Sequence, residues 1–181
     1  KGFKEDFANE APINIYAYSK YLFDQWGRNW FDDVDTTFVG LRYFNVYGPG
    51  EAHKGRMASM AFHGFNQLTA TGKIKLFRGI DGVAYGEQLR DFVFVKDVVD
   101  VVLHFALEDT GKRKKTTQGV FNVGTGRARS FRELAEAVIA ANGQGGSIEF
   151  VPFPEDLRGR YQNYTQADLT ALRKAGYKAK F

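Results

Sequence analysis

Cysteine is absent from this 181-residue chain, which excludes disulfide bonds, cysteine nucleophiles and cysteine-ligated metal sites. Long apolar runs are absent as well, because no stretch approaches the roughly 18 residues that a membrane-spanning helix needs. No signal peptide is visible either, so we expect a cytoplasmic protein with no membrane partner. The three histidines show no spacing typical of a metal site, and no metal is predicted.

A strong charge of one sign is also lacking. The net charge is only +4, and lysine and arginine are spread among acidic residues rather than grouped in stripes. The densest basic run is Lys112-Arg113-Lys114-Lys115, and its glycine- and threonine-rich surroundings favour a solvated loop over a nucleic-acid patch. We therefore predict no nucleic-acid partner, although the modest positive balance suits a ligand that carries phosphate.

Apolar periodicity and turn residues predict strands that alternate with helices. The predicted helices cover residues 15–30, 57–71, 98–107 and 130–141, and a short last helix is capped by the segment 165–168 and ends at Gly176. The predicted strands cover residues 37–43, 74–77, 92–95, 120–123 and 148–151, with a loop at 45–55. Ser130 and Glu133 have the spacing of a capping box. This alternation predicts an α/β fold with a mainly parallel sheet.

The segment Tyr16-Ala-Tyr-Ser-Lys20 places a phenol and an amine four residues apart on the first predicted helix. Side chains at that spacing project from the same face of a helix. A free tyrosine titrates at about pH 10, but a nearby ammonium stabilises the phenolate and makes the tyrosine a workable proton acceptor. An ordinary pair on a solvated helix face has the same spacing, so the spacing alone does not decide between these alternatives.

Polar residues follow the first predicted strand. Asn45 and the turn Gly48-Pro49 fall at its carboxyl end, where ligands bind in parallel α/β sheets. Asn45 can hold a substrate hydroxyl at this position. The alternative is a purely structural turn.

Four segments carry a family resemblance. They are the Tyr-x-x-x-Lys helix, Arg42-Tyr-Phe-Asn45-Val-Tyr-Gly48-Pro49, Arg90-Asp-Phe-Val93 with Asp97-Val98, and Phe121-Asn-Val-Gly-Thr-Gly126. Together they resemble the extended short-chain dehydrogenase/reductase superfamily of nucleotide-sugar epimerases, dehydratases and reductases. The resemblance implies the C-terminal part of a Rossmann-type doubly wound parallel sheet plus a small α/β substrate-binding lobe. Residues 1–50 would belong to the Rossmann domain with the catalytic helix, and residues 51–181 mainly to the lobe, with Rossmann elements returning at about 90–125.

Three further segments narrow the resemblance, namely residues 51–59, 152–162 and 164–169. They are similar to the ADP-heptose 6-epimerase family within that superfamily. This similarity implies inversion at C6 of an ADP-heptose through a transient ketone, in the synthesis of the lipopolysaccharide core. Two alternatives stay open, namely another nucleotide-sugar epimerase or dehydratase of the superfamily and a module that binds an ADP-sugar without catalysis.

The chemistry of such an epimerase explains two of the implied residues. Inverting an unactivated carbinol requires removal of hydride and its return to the opposite face, so acid/base groups on both sides are useful. The resemblance implies Tyr16 as the first of these groups and Lys54 as the second, the alternative being that Lys54 is an ordinary loop lysine. Lys20 would assist Tyr16 and contact the nicotinamide ribose, while Val46 and Lys54 would lie beside the cofactor. The superfamily suggests NADP, with NAD not excluded.

Substrate contacts are also implied by the resemblance. They fall on Asn45, Arg56, His63, Phe77, Arg78, Gly79, Ile80, Arg90 and Tyr161. The planar fork of Arg90 suits a phosphate, and the alternative is a surface ion pair with Asp91. His63 can equally be a core or capping histidine. Members of the superfamily assemble into homo-oligomers, so we expect a homo-oligomer here.

The chain also departs from the superfamily pattern. It has no G-x-x-G-x-x-G turn after a first strand, and Gly124-Thr-Gly126 lacks the third glycine and comes too late in the fold to replace it. The catalytic Ser or Thr that should precede Tyr16 is missing, and the chain starts at Lys1 without Met. We therefore expect a fragment that lacks its cofactor-binding N-terminal half and is inactive alone. Arg56 stands where a small polar residue is typical, and the loop 81–88 is longer than usual.

Overall fold

The computed structural model describes residues 2–31, 33, 37–107, 118–159 and 161–178. Its helices are α1 (Ile15–Asn29), α2 (Met60–Thr71), α3 (Val95–Leu107), α4 (Phe131–Asn142) and α5 (Thr170–Lys174). Its strands are β1 (Val39–Tyr43), β2 (Asn45–Tyr47), β3 (Lys73–Phe77), β4 (Leu89–Phe94), β5 (Gly119–Val123), β6 (Ala128–Ser130) and β7 (Ser147–Val151). Short 3-10 turns cover Phe7–Asn9, Ala52–Met57 and Glu155–Leu157. The basic run at 112–115, predicted to be a loop, lies outside the described residues.

Parallel pairing dominates the strands of the described regions. Strand β1 pairs with β5, β2 pairs with β4, and β3 pairs with β7, all in parallel, while β4 and β6 are antiparallel. Phe44 lies between β1 and β2, and its amide donates to the carbonyl of Val123 at 2.9 Å. The chain thus passes from a strand paired with β5 directly into one paired with β4. The predicted α/β fold with a mainly parallel sheet is confirmed.

Helix α1 is positioned by residues at both of its ends. The side chain of Asn14 accepts a hydrogen bond from the amide of Ala17 at 2.8 Å and caps the first turn. Near the other end, a Cβ on Gly27 would lie 3.0 Å from the ring of Phe38, so the glycine lets the helix approach the residue that precedes β1. The guanidinium of Arg42 in β1 donates to Asp24 at 2.6 Å. These contacts hold the first turn of α1 near the carboxyl end of β1.

The buried apolar side chains form two clusters. The first lies between the β1–β5 pair and helices α3 and α5, and it includes Val93, Val101, Phe121 and Val123. The second lies between α2, α4 and β3, and its buried members are Leu68, Ile74, Leu76 and Ala135. Burial of apolar surface in each cluster stabilises its own set of elements. The division of the chain into a Rossmann part and a lobe stays a prediction.

A fully buried carboxylate links two of the motifs found in the sequence. Asp91 in β4 accepts hydrogen bonds from the amides of Thr125, Gly126 and Ala167 at 2.7, 2.9 and 2.9 Å, and from the Thr125 hydroxyl at 2.6 Å. Four donors compensate the cost of burying its charge. A Cβ on Gly124 would lie only 2.8 Å from the Asp91 carboxylate, so a glycine is needed there. The Gly124-Thr-Gly126 segment therefore has a structural role, because it donates hydrogen bonds to the buried Asp91 carboxylate.

The other predicted helices and strands are confirmed to within three residues at their ends, but three local predictions are wrong. Residues 45–47 form β2 instead of a loop, because the backbone of β4 supplies hydrogen bonds that a strand this short does not signal in sequence. The equally short β6 is missing from the predicted elements for the same reason. The last helix begins at Thr170 and is not capped by Thr165, whose buried hydroxyl has no partner among the described residues. Of the predicted segment 165–168, only Asp168 reaches the helix, because its carboxylate accepts from the amide of Thr170 at 2.8 Å.

One predicted cap is confirmed. The hydroxyl of Ser130 accepts from the amide of Glu133 at 3.1 Å, and the Glu133 carboxylate accepts from the amide of Ser130 at 2.8 Å. This capping box begins α4. No helix of the described regions is long and apolar enough to cross a membrane.

Candidate active site

A cleft of about 790 Å³ lies between the start of α1, strand β2, the 3-10 turn Ala52–Met57, and strands β3 and β4. We call it the main cleft. A side cleft of about 510 Å³ adjoins it along α1. Tyr16, Arg90 and Tyr161 belong to the walls of both clefts. A ligand that extends from one cleft into the other must therefore pass these three side chains.

Tyr16 stands on the first turn of α1, where the two clefts meet. The amine of Lys20 lies 5.2 Å from the centroid of the Tyr16 ring, which confirms that the two side chains share one face of the helix. Tyr16 is 71% exposed. The attraction between a phenolate and an ammonium is weak in water and grows when water is excluded. The pair therefore depends on a ligand or further protein to make the tyrosine an effective base.

Lys54 reaches the main cleft from the 3-10 turn, and its side chain is 42% exposed. Its Nζ lies 3.8 Å from Oε2 of Glu51, which is buried. The Glu51 carboxylate accepts hydrogen bonds from the amide of Gly48 at 3.1 Å and from the amide and hydroxyl of Ser59 at 2.7 Å each. Burial opposes ionisation of Glu51, but these hydrogen bonds and Lys54 outweigh it and lower the pKa of the carboxyl. Glu51 is therefore an anion beside the Lys54 ammonium.

Arg90 is the buried cation of the main cleft, and only 8% of its surface is exposed. Its guanidinium lies 4.8 Å from the ring centroid of Tyr161 and 5.7 Å from that of Phe131. One nitrogen donates to the carbonyl of Leu89 at 2.8 Å. The alternative ion pair with Asp91 is wrong, because the Asp91 carboxylate is taken by its four backbone and hydroxyl donors.

The surroundings of Arg90 favour an anionic ligand. No ion pair to Arg90 is found within the described ranges, and burial lowers the pKa of its guanidinium. Burial also raises the pKa of the Tyr161 phenol, an effect that the Arg90 charge opposes. A buried cation without a carboxylate partner is costly. An anion that enters the cleft and takes the free donors of the planar fork removes that cost.

The structure brings most of the predicted site residues together. The main cleft is lined by Tyr16, Asn45, Val46, Lys54, Arg56, His63, Phe77, Arg90 and Tyr161. Lys20 lies in the wall of the side cleft. Arg78, Gly79 and Ile80 are not among the residues that line either cleft, and the carbonyl of Arg78 instead accepts from the Gln88 side chain at 3.4 Å.

Several residues of the main cleft were not singled out in the sequence. They include Glu51, Ser59, Lys75, Gln88, Phe92 and Phe131. An acidic residue three positions before a proposed catalytic lysine is a signal that sequence reasoning can use, and Glu51 has that position. Phe131 has no such signal, because it comes to the cleft only through the packing of α4.

Some residues that line the two clefts suit one part of the nicotinamide dinucleotide that the superfamily implies. Tyr16 and Lys20 offer polar atoms on one face of α1, and Val46 offers an apolar contact in the adjoining cleft, which together suit a ribose and a flat ring. A glycine-rich cradle for the pyrophosphate is not part of this sequence. The residues of this chain therefore fit the nicotinamide-ribose end of the cofactor. In the described ranges, no three His, Asp or Glu side chains group as metal ligands.

Comparisons with known proteins show the family to which the chain belongs. Residues 2–124 match the NAD dependent epimerase/dehydratase family. The match covers more than half of the chain, and the chain belongs to this family.

Solved structures of sugar-nucleotide enzymes share the fold. The ADP-L-glycero-D-manno-heptose-6-epimerase of Helicobacter pylori is 30% identical, with a TM-score of 0.78 over 100% of this chain and 50% of that one. The UDP-glucose 4-epimerase of Thermus thermophilus, solved with NAD, is 25% identical, with a TM-score of 0.77 over 99% of this chain and 53% of that one. A UDP-N-acetylglucosamine 4-epimerase from Methanobrevibacter ruminantium is 22% identical, with a TM-score of 0.80 over 98% of this chain and 52% of that one, and shows the fold alone. The chain thus spans about half the length of these relatives.

Proposed function

We propose that this chain supplies the acid/base pair and the substrate-binding wall of an ADP-L-glycero-D-manno-heptose 6-epimerase. The carrying observation is that Tyr16, Lys54 and the buried Arg90 line one cleft. The similarity to the Helicobacter pylori enzyme supports ADP-heptose among the possible sugar nucleotides. The proposal includes NADP as the cofactor, a cytoplasmic homo-oligomer, and a product used for the lipopolysaccharide core.

The proposed reaction needs two proton carriers. The oxygen on C6 loses a proton as hydride leaves C6, and it regains a proton when hydride returns to the opposite face of the resulting ketone. A nicotinamide held beside Lys20 and Val46 would supply the acceptor and donor of that hydride. Tyr16, assisted by Lys20, takes the proton on one side. Lys54, which reaches the main cleft from the 3-10 turn, donates the proton on the other side.

Arg90 anchors the substrate in this proposal. The buried guanidinium has no anionic partner among the described residues, and the diphosphate of a sugar nucleotide would be that partner. Two parallel hydrogen bonds from the guanidinium would hold the diphosphate in a defined orientation. The Tyr161 and Phe131 rings hold the guanidinium plane in place. Anchoring the diphosphate leaves the sugar free to turn its C6 between the two acid/base groups, which the inversion requires.

A second candidate is an epimerase or dehydratase that acts on another sugar nucleotide. The UDP-glucose 4-epimerase of Thermus thermophilus favours this candidate, since it is nearly as similar in fold to the chain as the heptose enzyme is. A third candidate is a module that binds an ADP-sugar without redox chemistry.

One assay separates these candidates. The intact protein that contains this chain is incubated with ADP-D-glycero-D-manno-heptose, UDP-glucose or GDP-mannose, and NMR follows the configuration of the sugar. We expect inversion at C6 of the ADP-heptose with a kcat/KM at least about 100-fold above that for the other two substrates. Turnover of a UDP- or GDP-sugar with the ADP-heptose ignored would establish the second candidate. Binding of ADP-heptose without turnover and without bound nicotinamide would establish the third.

A further inference from the structure

Among the described residues, Glu51 is the one acidic residue in the wall of the main cleft, and no role in the proposed reaction follows from its own position. Only 5% of the surface of Glu51 is exposed, so its carboxylate contacts neighbouring residues more than solvent. The Nζ atom of Lys54, three residues further along the chain, lies 3.8 Å from Oε2 of Glu51. A buried carboxylate that touches a proposed acid/base group can act on the reaction through that group.

Glu51 closes the segment that carries Lys54. Its two oxygens hold the amide of Gly48 before the 3-10 turn and the amide and hydroxyl of Ser59 after it. Residues 48–59 are thereby drawn into a closed loop with Lys54 on its outer turn. We call this segment the lysine loop.

Both ends of the lysine loop are anchored to regular structure. Gly48 has φ +147°, and a Cβ there would lie 2.5 Å from the side chain of Val95 at the start of α3. Ser59 caps α2, because its hydroxyl accepts from the amide of Phe62 at 3.2 Å while it donates to Glu51. The carboxylate therefore ties the loop to the first turns of two helices. An anion near the start of α2 is also favoured by the helix dipole.

The middle of the lysine loop has few constraints of its own. Gly55, directly after Lys54, adopts φ +52°, and a Cβ on it would meet no described atom within 4 Å. Lys54 and its neighbours Ala52, His53 and Arg56 are exposed. Without the Glu51 carboxylate, this part of the loop keeps neither its closure across Gly48 and Ser59 nor the ion pair to the Lys54 amine.

From this geometry we infer that Glu51 is a positioning residue that holds the Lys54 ammonium at its place in the main cleft. The inference rests on the proposed function, because it assigns Glu51 to the reaction only through Lys54. Glu51 touches neither the substrate nor the reacting atoms in this assignment. Small displacements of a proton donor are costly, since misplacement by about 1 Å can lower a rate by about 100-fold.

The test is a double-mutant cycle in the intact protein with its nicotinamide bound. Glu51→Gln keeps the size of the side chain but removes its charge, and Lys54→Met removes the amine. We expect Glu51→Gln to lower kcat by about 10-fold or more while KM changes by less than about 3-fold. In the Lys54→Met background, we expect the same substitution to change kcat by less than about 2-fold, because it then has no amine to position.

A matched control comes from the surface of the molecule. Glu149 lies 3.9 Å from the amine of Lys73, almost the separation of the Glu51–Lys54 pair, but both side chains of this pair reach solvent and lie outside the cleft. Glu149→Gln should leave kcat and KM unchanged. Limited trypsin digestion gives a readout that needs no substrate, and we expect Glu51→Gln to accelerate cleavage after Lys54 and Arg56 in the lysine loop.

The outcomes separate the inference from the proposed function. Equal losses from Glu51→Gln with Lys54 present or replaced would overturn the inference, because the carboxylate would then act through the fold. Near-normal turnover by Lys54→Met would overturn the two-base scheme itself. If Glu51→Gln does not fold, Glu51→Asp keeps the charge one methylene further back, and the same cycle with Lys54→Met decides by the same criterion.

Discussion

The two walls of the main cleft differ in how deeply their charged and polar side chains are buried. The wall proposed to bind the substrate, called the binding wall after that proposal, consists of Arg90, Tyr161 and Phe131, and its cation is 8% exposed between two aromatic rings. The wall that carries the proposed acid/base pair, called the catalytic wall after that proposal, consists of Tyr16 and Lys54, which are 71% and 42% exposed. A buried cation beside aromatic rings is prepared for an anionic ligand before that ligand arrives, whereas exposed acid/base groups become effective only when water is excluded.

This difference supports the separate roles proposed for the two walls. The binding wall draws its residues from β4, α4 and the segment after the last 3-10 turn, all of which pack within this chain. The catalytic wall is carried by the first turn of α1 and by the lysine loop, and its Tyr16 and Lys54 side chains are exposed. In the proposed reaction, substrate, cofactor or further protein must cover that side before Tyr16 and Lys54 can exchange protons efficiently. The walls should therefore respond differently to substitution.

The largest effect should come from the catalytic wall. Tyr16→Phe removes the proton-accepting oxygen and leaves the ring, so we expect kcat for epimerisation to fall by at least about 100-fold with little change in KM. Steady-state kinetics of the intact protein measure both constants. Tyr18→Phe on the same helix is the control, because its ring stacks on Tyr21 and its oxygen has no assigned role. Equal activity of Tyr16→Phe and Tyr18→Phe would show that the exposed wall is not catalytic.

The binding wall should give the opposite pattern. Arg90→Gln removes a charge-assisted contact to the diphosphate, so we expect KM to rise by about 10- to 100-fold while kcat falls less. The exposed Arg129, which pairs with Glu133 at 2.9 Å, provides the control substitution Arg129→Gln, expected to leave KM unchanged. A loss confined to kcat for Arg90→Gln would contradict the distinction between the two walls.

The two walls also differ in how well the sequence predicts them. Tyr16 and Lys20 share a face because helix geometry is local, and Lys54 is recognisable from its neighbours in the chain. The burial of Arg90 is not predictable in this way, because it depends on rings supplied by Phe131 and Tyr161, which are distant in sequence. The alternative ion pair with the adjacent Asp91 fails for the same reason, since Thr125 and Ala167 reach that carboxylate only through tertiary packing.

The catalytic wall is exposed, but a buried carboxylate fixes the elements that carry Tyr16. Glu10, whose side chain is 3% exposed, accepts from both terminal nitrogens of Arg28 at 2.8 and 2.6 Å and from Arg42 at 2.6 Å. Arg28 belongs to α1 and Arg42 to β1, so Glu10 ties the segment before Tyr16 to the helix and the strand that position it. The hydrogen bonds from Arg28 have the largest effect on the pKa of Glu10, burial opposes them, and the hydrogen bond from Arg42 adds to them. The net result is a pKa lowered from 4.5 to about 2.

Among the substitutions of cleft and supporting residues, replacement of Glu10 should have the smallest effect on turnover. Its effect on the free energy of unfolding should depend on pH. A pKa lowered in the folded state adds stability that is fully present above about pH 4.5 and is lost as the pH falls towards 2. The shift corresponds to about 3 kcal/mol, so we expect Glu10→Gln to reduce the free energy of unfolding by about 2–3 kcal/mol at pH 7. The difference between the variant and the unmodified protein should shrink below pH 4.5. Urea denaturation at a series of pH values measures it.

The same substitution tests whether stability and chemistry are separable in the catalytic wall. The Tyr16–Lys20 pair is internal to α1, so kcat at pH 7 should fall by only a few-fold wherever the variant stays folded. Glu149→Gln, which breaks an exposed pair, should cost less than about 0.5 kcal/mol at any pH. A pH-independent loss for Glu10→Gln would mean that the side chain acts by packing and not by its charge. A loss of kcat by about 100-fold would mean that the ion pairs, more than the helix, place the phenol.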